Sequence, residues 1–132
     1  MEQSVTLKPQ KDFPKLKDFK AAFPVTKDTI FAYDGVIYTN NELPHHLIVH
    51  ETTHLAQQEY YGVDHWTDEY LMNPAFRVRM EREAYMDQLK AIPKGKDKIR
   101  QAILCAKDLS SDLYGNLMTY AQAMRAFRPL LK

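Results

Sequence analysis

His50, Glu51 and His54 stand in the run His-Glu-Thr-Thr-His, two imidazoles four residues apart with a carboxylate directly after the first. On an α-helix, residues four apart lie on one face a turn apart, so both imidazoles can reach a single metal ion. Glu51 is turned about 100° from His50 at 3.6 residues per turn, near enough to hydrogen-bond a water on that ion and turned away from ligating it. Imidazole is the commonest side-chain metal ligand, and zinc brings the pKa of a water it holds to about 7, within reach of a carboxylate base. The pattern spells metal-assisted hydrolysis, with His50 and His54 as metal ligands and Glu51 as the catalytic base.

A shuffled chain with the same five His and seven Glu produces this pattern at a rate on the order of 1%, so the surroundings must decide. Leu47, Ile48, Val49, Leu55 and Ala56 flank the histidines, no Gly or Pro interrupts residues 45–61, and Gly62 follows. The spacing predicts a buried helix over 45–61. Two solvated surface histidines would not be set among so many apolar neighbours.

Two histidines and a water leave tetrahedral zinc one protein ligand short. Glu81 and Glu83 are the downstream candidates, on a helix predicted over 74–92 with Asn73 as N-cap, Pro74 at the first helical position and Pro93 as the stop. On a helical wheel Arg79, Glu83 and Lys90 cluster with Arg82 nearby as a solvated face. Glu81 falls opposite, with Ala84, Tyr85, Gln88 and Ile92. Glu81 is therefore the expected third ligand to one Zn²⁺ per chain, and Glu83 a surface residue paired with Arg79. Pairing of Glu81 with Arg77, one turn earlier, is the bland alternative.

An HExxH helix followed by Glu-x-x-Ala on a later helix resembles the gluzincin metallopeptidases, above all the small single-domain ones. Trp66 to Leu71, Asn73 to Arg77 and Glu81 to Gln88 are also similar to zincin-like proteins of phages and prophages. The resemblance implies a zinc peptidase that hydrolyses peptide bonds of a protein or peptide substrate, with His50, His54 and Glu81 as ligands and Glu51 as base. It also implies an α+β, helix-dominated, zincin-like domain with a small antiparallel hairpin beside the metal helix, one strand of which binds an extended peptide by strand addition. The chain departs from the pattern at Tyr85, where many gluzincins carry an Asp that orients a zinc histidine. A second reading is a zincin-fold structural or assembly protein, for instance in a phage particle, with little or no hydrolysis. An intact Glu51 speaks for the enzyme, because a structural site closes all four positions and needs no base.

Amide hydrolysis also needs a donor for the oxyanion. Arg77 and Tyr85 on the Glu81 side of their helix, Tyr114 beside Gly115, and His65 after a loop are the candidates for transition-state or supporting roles, each with a structural role as its alternative. His46 precedes His50 by four and could extend the chelate, although an exposed position at the start of the helix suits it better.

The elements that must position these groups follow from pattern and length. At 132 residues the chain fits one domain. Residues 1–27 read as loops around one short helix near 16–23. Residues 29–39 read as a hairpin of β-branched and aromatic runs joined by Asp34-Gly35. A short helix is expected from about Trp66 to Met72. Helices are expected within 97–128, with a break at Ser110-Ser111 and a cap at Thr119. With 18 basic and 17 acidic side chains, a net charge of +1 leaves no electrostatic footprint for nucleic acid, and no apolar run is long enough to span a membrane. The Lys-rich start lacks an apolar signal segment and the lone Cys105 has no intrachain partner, so a reducing, cytoplasmic setting is expected, with Cys105 a buried structural thiol.

Overall fold

Asp34 and Gly35 both take positive φ, 49° and 83°. A two-residue primed turn requires this, and its twist matches that of the strands it joins. In the computed structural model, which describes residues 5–132, this turn links β2 (Phe31–Tyr33) to β3 (Val36–Tyr38) in antiparallel register, Phe31 opposite Tyr38. Residues 1–4, part of the N-terminal loop expected over 1–27, lie outside the described residues. The hairpin does not stand alone as expected: β1 (Thr6–Lys8) adds to it in parallel, Thr6 opposite Val36, to give a mixed sheet of order β1-β3-β2. All three β1 residues are exposed, and the alternation of Val5-Thr6-Leu7-Lys8 is too short to mark a strand in the sequence.

Helices dominate the rest. After α1 (Leu16–Ala22) and the hairpin, α2 spans His45–Tyr61 and stops at Gly62, whose φ of 91° no L-residue adopts without strain. Gly62 also starts α3 (Val63–Met72), three residues earlier than expected. Asn73 then caps α4 (Pro74–Lys90): its side chain accepts from the backbone N–H groups of Ala75 and Phe76 at 3.1 and 3.3 Å, with Pro74 where a missing N–H costs nothing. The helix ends two residues short of the expected 92. The segment expected over 97–128 resolves into α5 (Lys96–Leu109), a 3-10 turn at Asp112–Tyr114 and α6 (Tyr120–Phe127). Thr119 and Gln122 close a reciprocal capping box at the start of α6.

Three groups of side chains hold these pieces. Leu89, Ala102, Ala106, Leu109, Ala123 and Phe127, each fully buried, join α4, α5 and α6. Phe13, Phe19, Phe31 and Tyr38 tie the N-terminal segment to the sheet, with the rings of Phe13 and Phe31 stacked at 4.4 Å. Trp66, Phe76 and Met80 join α3 to α4. The sheet docks on α2 through Gln58, whose amide donates to the Ala32 carbonyl at 2.7 Å and accepts from the Asp34 N–H at 2.9 Å. Among the described residues no helix is long and apolar enough to cross a membrane.

Candidate metal centre

The face that α2 turns inward is polar: its buried residues are His50, Glu51, Thr53, His54, Gln57 and Gln58. It packs against the face of α4 that carries Glu81, so the wheel placed Glu81 on the correct side. One oxygen, Oε1 of Glu81, lies 2.9 Å from Nε2 of His50 and 3.1 Å from Nε2 of His54. All three side chains are buried. Glu83 is exposed and accepts a hydrogen bond from Gln57 at 3.2 Å. Its expected ion pair with Arg79 is not formed among the described residues, and Glu81 pairs with the two histidines rather than with Arg77.

The other ring nitrogens fix what those Nε2 atoms can do. Nδ1 of His50 donates to Oε1 of Gln88 at 2.8 Å, and Nδ1 of His54 donates to Oε1 of Gln57 at 2.9 Å. The Gln57 amide cannot turn round, because its Nε2 donates to the Met80 carbonyl at 3.0 Å while Oε1 also accepts from the Trp66 indole at 3.2 Å. With a proton on each Nδ1, each neutral imidazole aims an Nε2 lone pair at the Glu81 oxygen. Two lone pairs and a carboxylate oxygen repel unless a cation lies among them. The donors are 2.9 and 3.1 Å apart, against about 3.3 Å between ligands of tetrahedral zinc bonded at about 2.0 to 2.1 Å. The donor set fits a zinc ion.

Without a metal, a proton takes that place. Burial alone would lower the His54 pKa, but the charge and hydrogen bond of Glu81 outweigh it and, with Glu51 and Gln57, lift it to about 9. Burial alone would raise Glu81, yet the two histidines hold it well below the usual carboxylate range. Its second oxygen, Oε2, accepts a hydrogen bond from the Tyr70 hydroxyl of α3. Burial, and then the Glu81 charge, push that phenol well above its ordinary pKa, so it stays a donor. Tyr70 leaves Oε1 as the oxygen free to face the histidines.

Glu51 completes the group. Its carboxylate lies within 4.8 Å of the ligand nitrogens of His50 and His54, and burial raises its pKa against the opposing pull of the two imidazoles. It has no hydrogen-bond partner among the described residues, where no fully buried side-chain oxygen lacks one, so its carboxylate opens onto a cleft. That cleft, about 520 Å³, is also lined by His50, His54, Glu81, Tyr70 and Tyr85.

Comparison with protein-family models, curated proteins and solved structures finds no match.

The remaining candidates divide. Tyr85 packs its ring edge-on to His50, 4.7 Å between centroids, and donates its hydroxyl to Asp108 on α5. Tyr114 donates to the same Asp108 oxygen at 3.2 Å. Both line the cleft. Arg77 does not: its guanidinium is consumed by the carbonyls of Tyr70, Leu71 and Leu113 at 2.6, 2.9 and 2.6 Å. It ties α4 to the end of α3 and to the turn after α5. His65 is exposed and packs beside Tyr61, away from the cleft. His46 meets Gln88 at 3.2 Å and does not join the other two histidines. Cys105 is buried, as expected, and burial pushes its thiol up to about 12.

Sequence reasoning missed Gln57, Gln88, Tyr70 and Asp108. Tyr85 offers His50 no carboxylate, and Gln88, one helical step further along the Glu81 face, orients His50 instead. A signal existed: Gln57 and Gln88 are uncharged amides on the two faces that meet, and a buried amide must find partners. Tyr70 carried none.

Proposed function

We propose that the chain is a zinc-dependent peptidase of the zincin type, as the gluzincin resemblance implies. The observation that carries this reading is the convergence of His50 Nε2, His54 Nε2 and Glu81 Oε1 from two helices, with Glu51 beside them and open to the cleft. Three protein ligands leave a fourth position for water or substrate, as hydrolytic zinc sites do and structural ones do not. When bound, zinc supplies Lewis-acid polarisation of a carbonyl and acidifies a water.

The chain supplies the rest. Gln88 and Gln57 hold the two imidazoles in the ligating tautomer, and Tyr70 holds the carboxylate of Glu81 to one oxygen. Glu51 takes the proton from the attacking water and returns it to the departing amine. Burial raises its proton affinity toward the working pH, which favours both transfers. β2 is an outer strand, and Ile30, Phe31 and Ala32 line the cleft. An extended peptide would add to β2 at its Ile30 end, because Gln58 already covers the Ala32 carbonyl and the Asp34 N–H near the turn.

Replacing Glu51 by Gln tests the reading. The variant keeps the three ligands, so zinc content should match wild type, while cleavage of an unfolded protein substrate should fall by about 10²- to 10⁴-fold. Cleavage by the variant at the wild-type rate would assign the activity elsewhere. A fully zinc-loaded wild type that cleaves no member of a broad peptide library would move the reading to a metal-binding assembly protein.

A further inference from the structure

One group in the cleft has no part in the chemistry proposed above. Asp108 on α5 lines the cleft, and both hydrogen bonds to its carboxylate, from Tyr85 and Tyr114, go to one oxygen, Oδ2. Oδ1 has no partner among the described residues, where no fully buried side-chain oxygen goes without one, so this oxygen keeps some exposure to solvent. No ion pair among the described residues involves Asp108. Among the described residues, the cleft is lined by three carboxylates, Glu51, Glu81 and Asp108, and by no Lys or Arg. The neighbouring cation on α5, Lys107, is exposed and does not line the cleft.

Charge counting separates the three. A divalent ion at the histidines offsets Glu51 and Glu81 together. Asp108 is left over, a negative charge at the wall of a mostly apolar cleft. Gln101, Leu104 and Cys105 precede it on α5 by seven, four and three residues, the spacing of one helical face, and all three line the same wall. On that wall Leu104 and Cys105 give an apolar stretch next to a carboxylate, with the Gln101 amide a turn further off. Lysine and arginine have the matching shape, an aliphatic stem with a cation at its end.

We propose that Asp108 selects a basic side chain, lysine or arginine, in the peptide taken by this cleft. The inference rests on the peptide-binding part of the function proposed above and adds the class of sequence recognised. Tyr85 links the two halves of the site, since its ring packs on His50 while its hydroxyl holds Asp108. The selected side chain therefore belongs to a residue close to the bond cleaved. Both tyrosines donate to Oδ2, which leaves Oδ1 as an acceptor for a cation.

The test uses the zinc-loaded Glu51→Gln protein, which removes both turnover and the neighbouring negative charge. Binding is read by fluorescence anisotropy with labelled peptides identical but for one residue: Lys, Arg, Gln, norleucine or Glu. The Lys and Arg peptides should bind on the order of 10-fold more tightly than the Gln peptide, an advantage that shrinks as salt screens it. Adding Asp108→Asn, which still accepts from both tyrosines, should bring the ratio near one, and Asp108→Glu should keep it. The Glu51→Gln protein with Asp108 intact already answers: equal binding of Lys and Gln peptides, or no binding of any peptide, overturns the proposal. So does a preference that survives Asp108→Asn. Charge-selective binding by a wild type that cleaves none of these peptides would uphold Asp108 and sink the peptidase reading. Equal cleavage of basic and neutral peptides would do the reverse.

Discussion

The interior of α2 and the interior of α5 and α6 are built on opposite principles. Apart from Lys98 at the start of α5, the C-terminal helices bury Ala102, Cys105, Ala106, Leu109, Ala123 and Phe127, an apolar layer against Leu89 of α4. The helix α2 buries two histidines, a glutamate, a threonine and two glutamines. Burial of the first kind lowers free energy by removing apolar surface from water. Burial of the second kind gains little unless each polar atom finds a partner, and no fully buried side-chain nitrogen or oxygen among the described residues lacks one. One region holds the fold together, and the other uses that stability to keep charged and lone-pair-bearing groups out of bulk water.

The largest expected effect lies in the stabilising half. Phe127 is fully buried in the α4–α5–α6 layer, so Phe127→Ala should cost about 3 to 5 kcal/mol of unfolding free energy. Urea denaturation of the metal-stripped protein would read it. A loss under about 1 kcal/mol would mean that the C-terminal layer is not the main support and would dissolve the contrast.

A smaller effect of a different kind belongs to α2 and α4. Gln88→Leu removes the acceptor that fixes His50, and Gln57→Leu removes the one that fixes His54. Each should weaken zinc binding by about 10- to 100-fold in competition with a chelator. Unchanged affinity in both variants would show that the amides are packing groups and not orienting ones.

These residues also mark how far the sequence could be read. Local signals carried well. Asp34-Gly35 announced the primed turn, Asn73-Pro74 and Thr119 announced helix starts, and the wheel of α4 separated Glu81 from Glu83 by the side each faces. Direction on a wheel does not give reach, and this defeats the reading of Arg77. It sits on the buried side, but its long side chain runs to the carbonyls of Tyr70, Leu71 and Leu113 instead of the cleft. Strand β1 was invisible because its pairing comes from β3, about thirty residues on, and its own side chains are all exposed. Gln57, Gln88, Tyr70 and Asp108 gain their roles only from partners on other elements, which no spacing within one helix records. The helix-dominated α+β class and the His50-Glu51-His54 cluster were legible, while the residues that hold that cluster in place were not.

A third expected effect is a slope with pH. In the metal-stripped protein the folded pKa of His54, about 9, lies above its ordinary value of 6.5. The stability it contributes is full below about 6.5 and is lost as pH rises through 9. Glu81, held low, stays ionised throughout this window and adds no slope. Thermal unfolding of stripped protein should therefore shift to lower temperature between pH 6.5 and 9, and zinc should remove that part of the decline by taking the place of the proton. A melting temperature that rises across this window would contradict the proton-bridged pairing of His54 with Glu81.

Elemental analysis of wild type and His54→Ala, each dialysed against a weak competing chelator, tests the central claim most directly. The account predicts one zinc per chain in the wild type and a near-complete loss in the variant, because only two of the three converging donors remain. A full equivalent of zinc retained by His54→Ala would mean that the metal binds elsewhere.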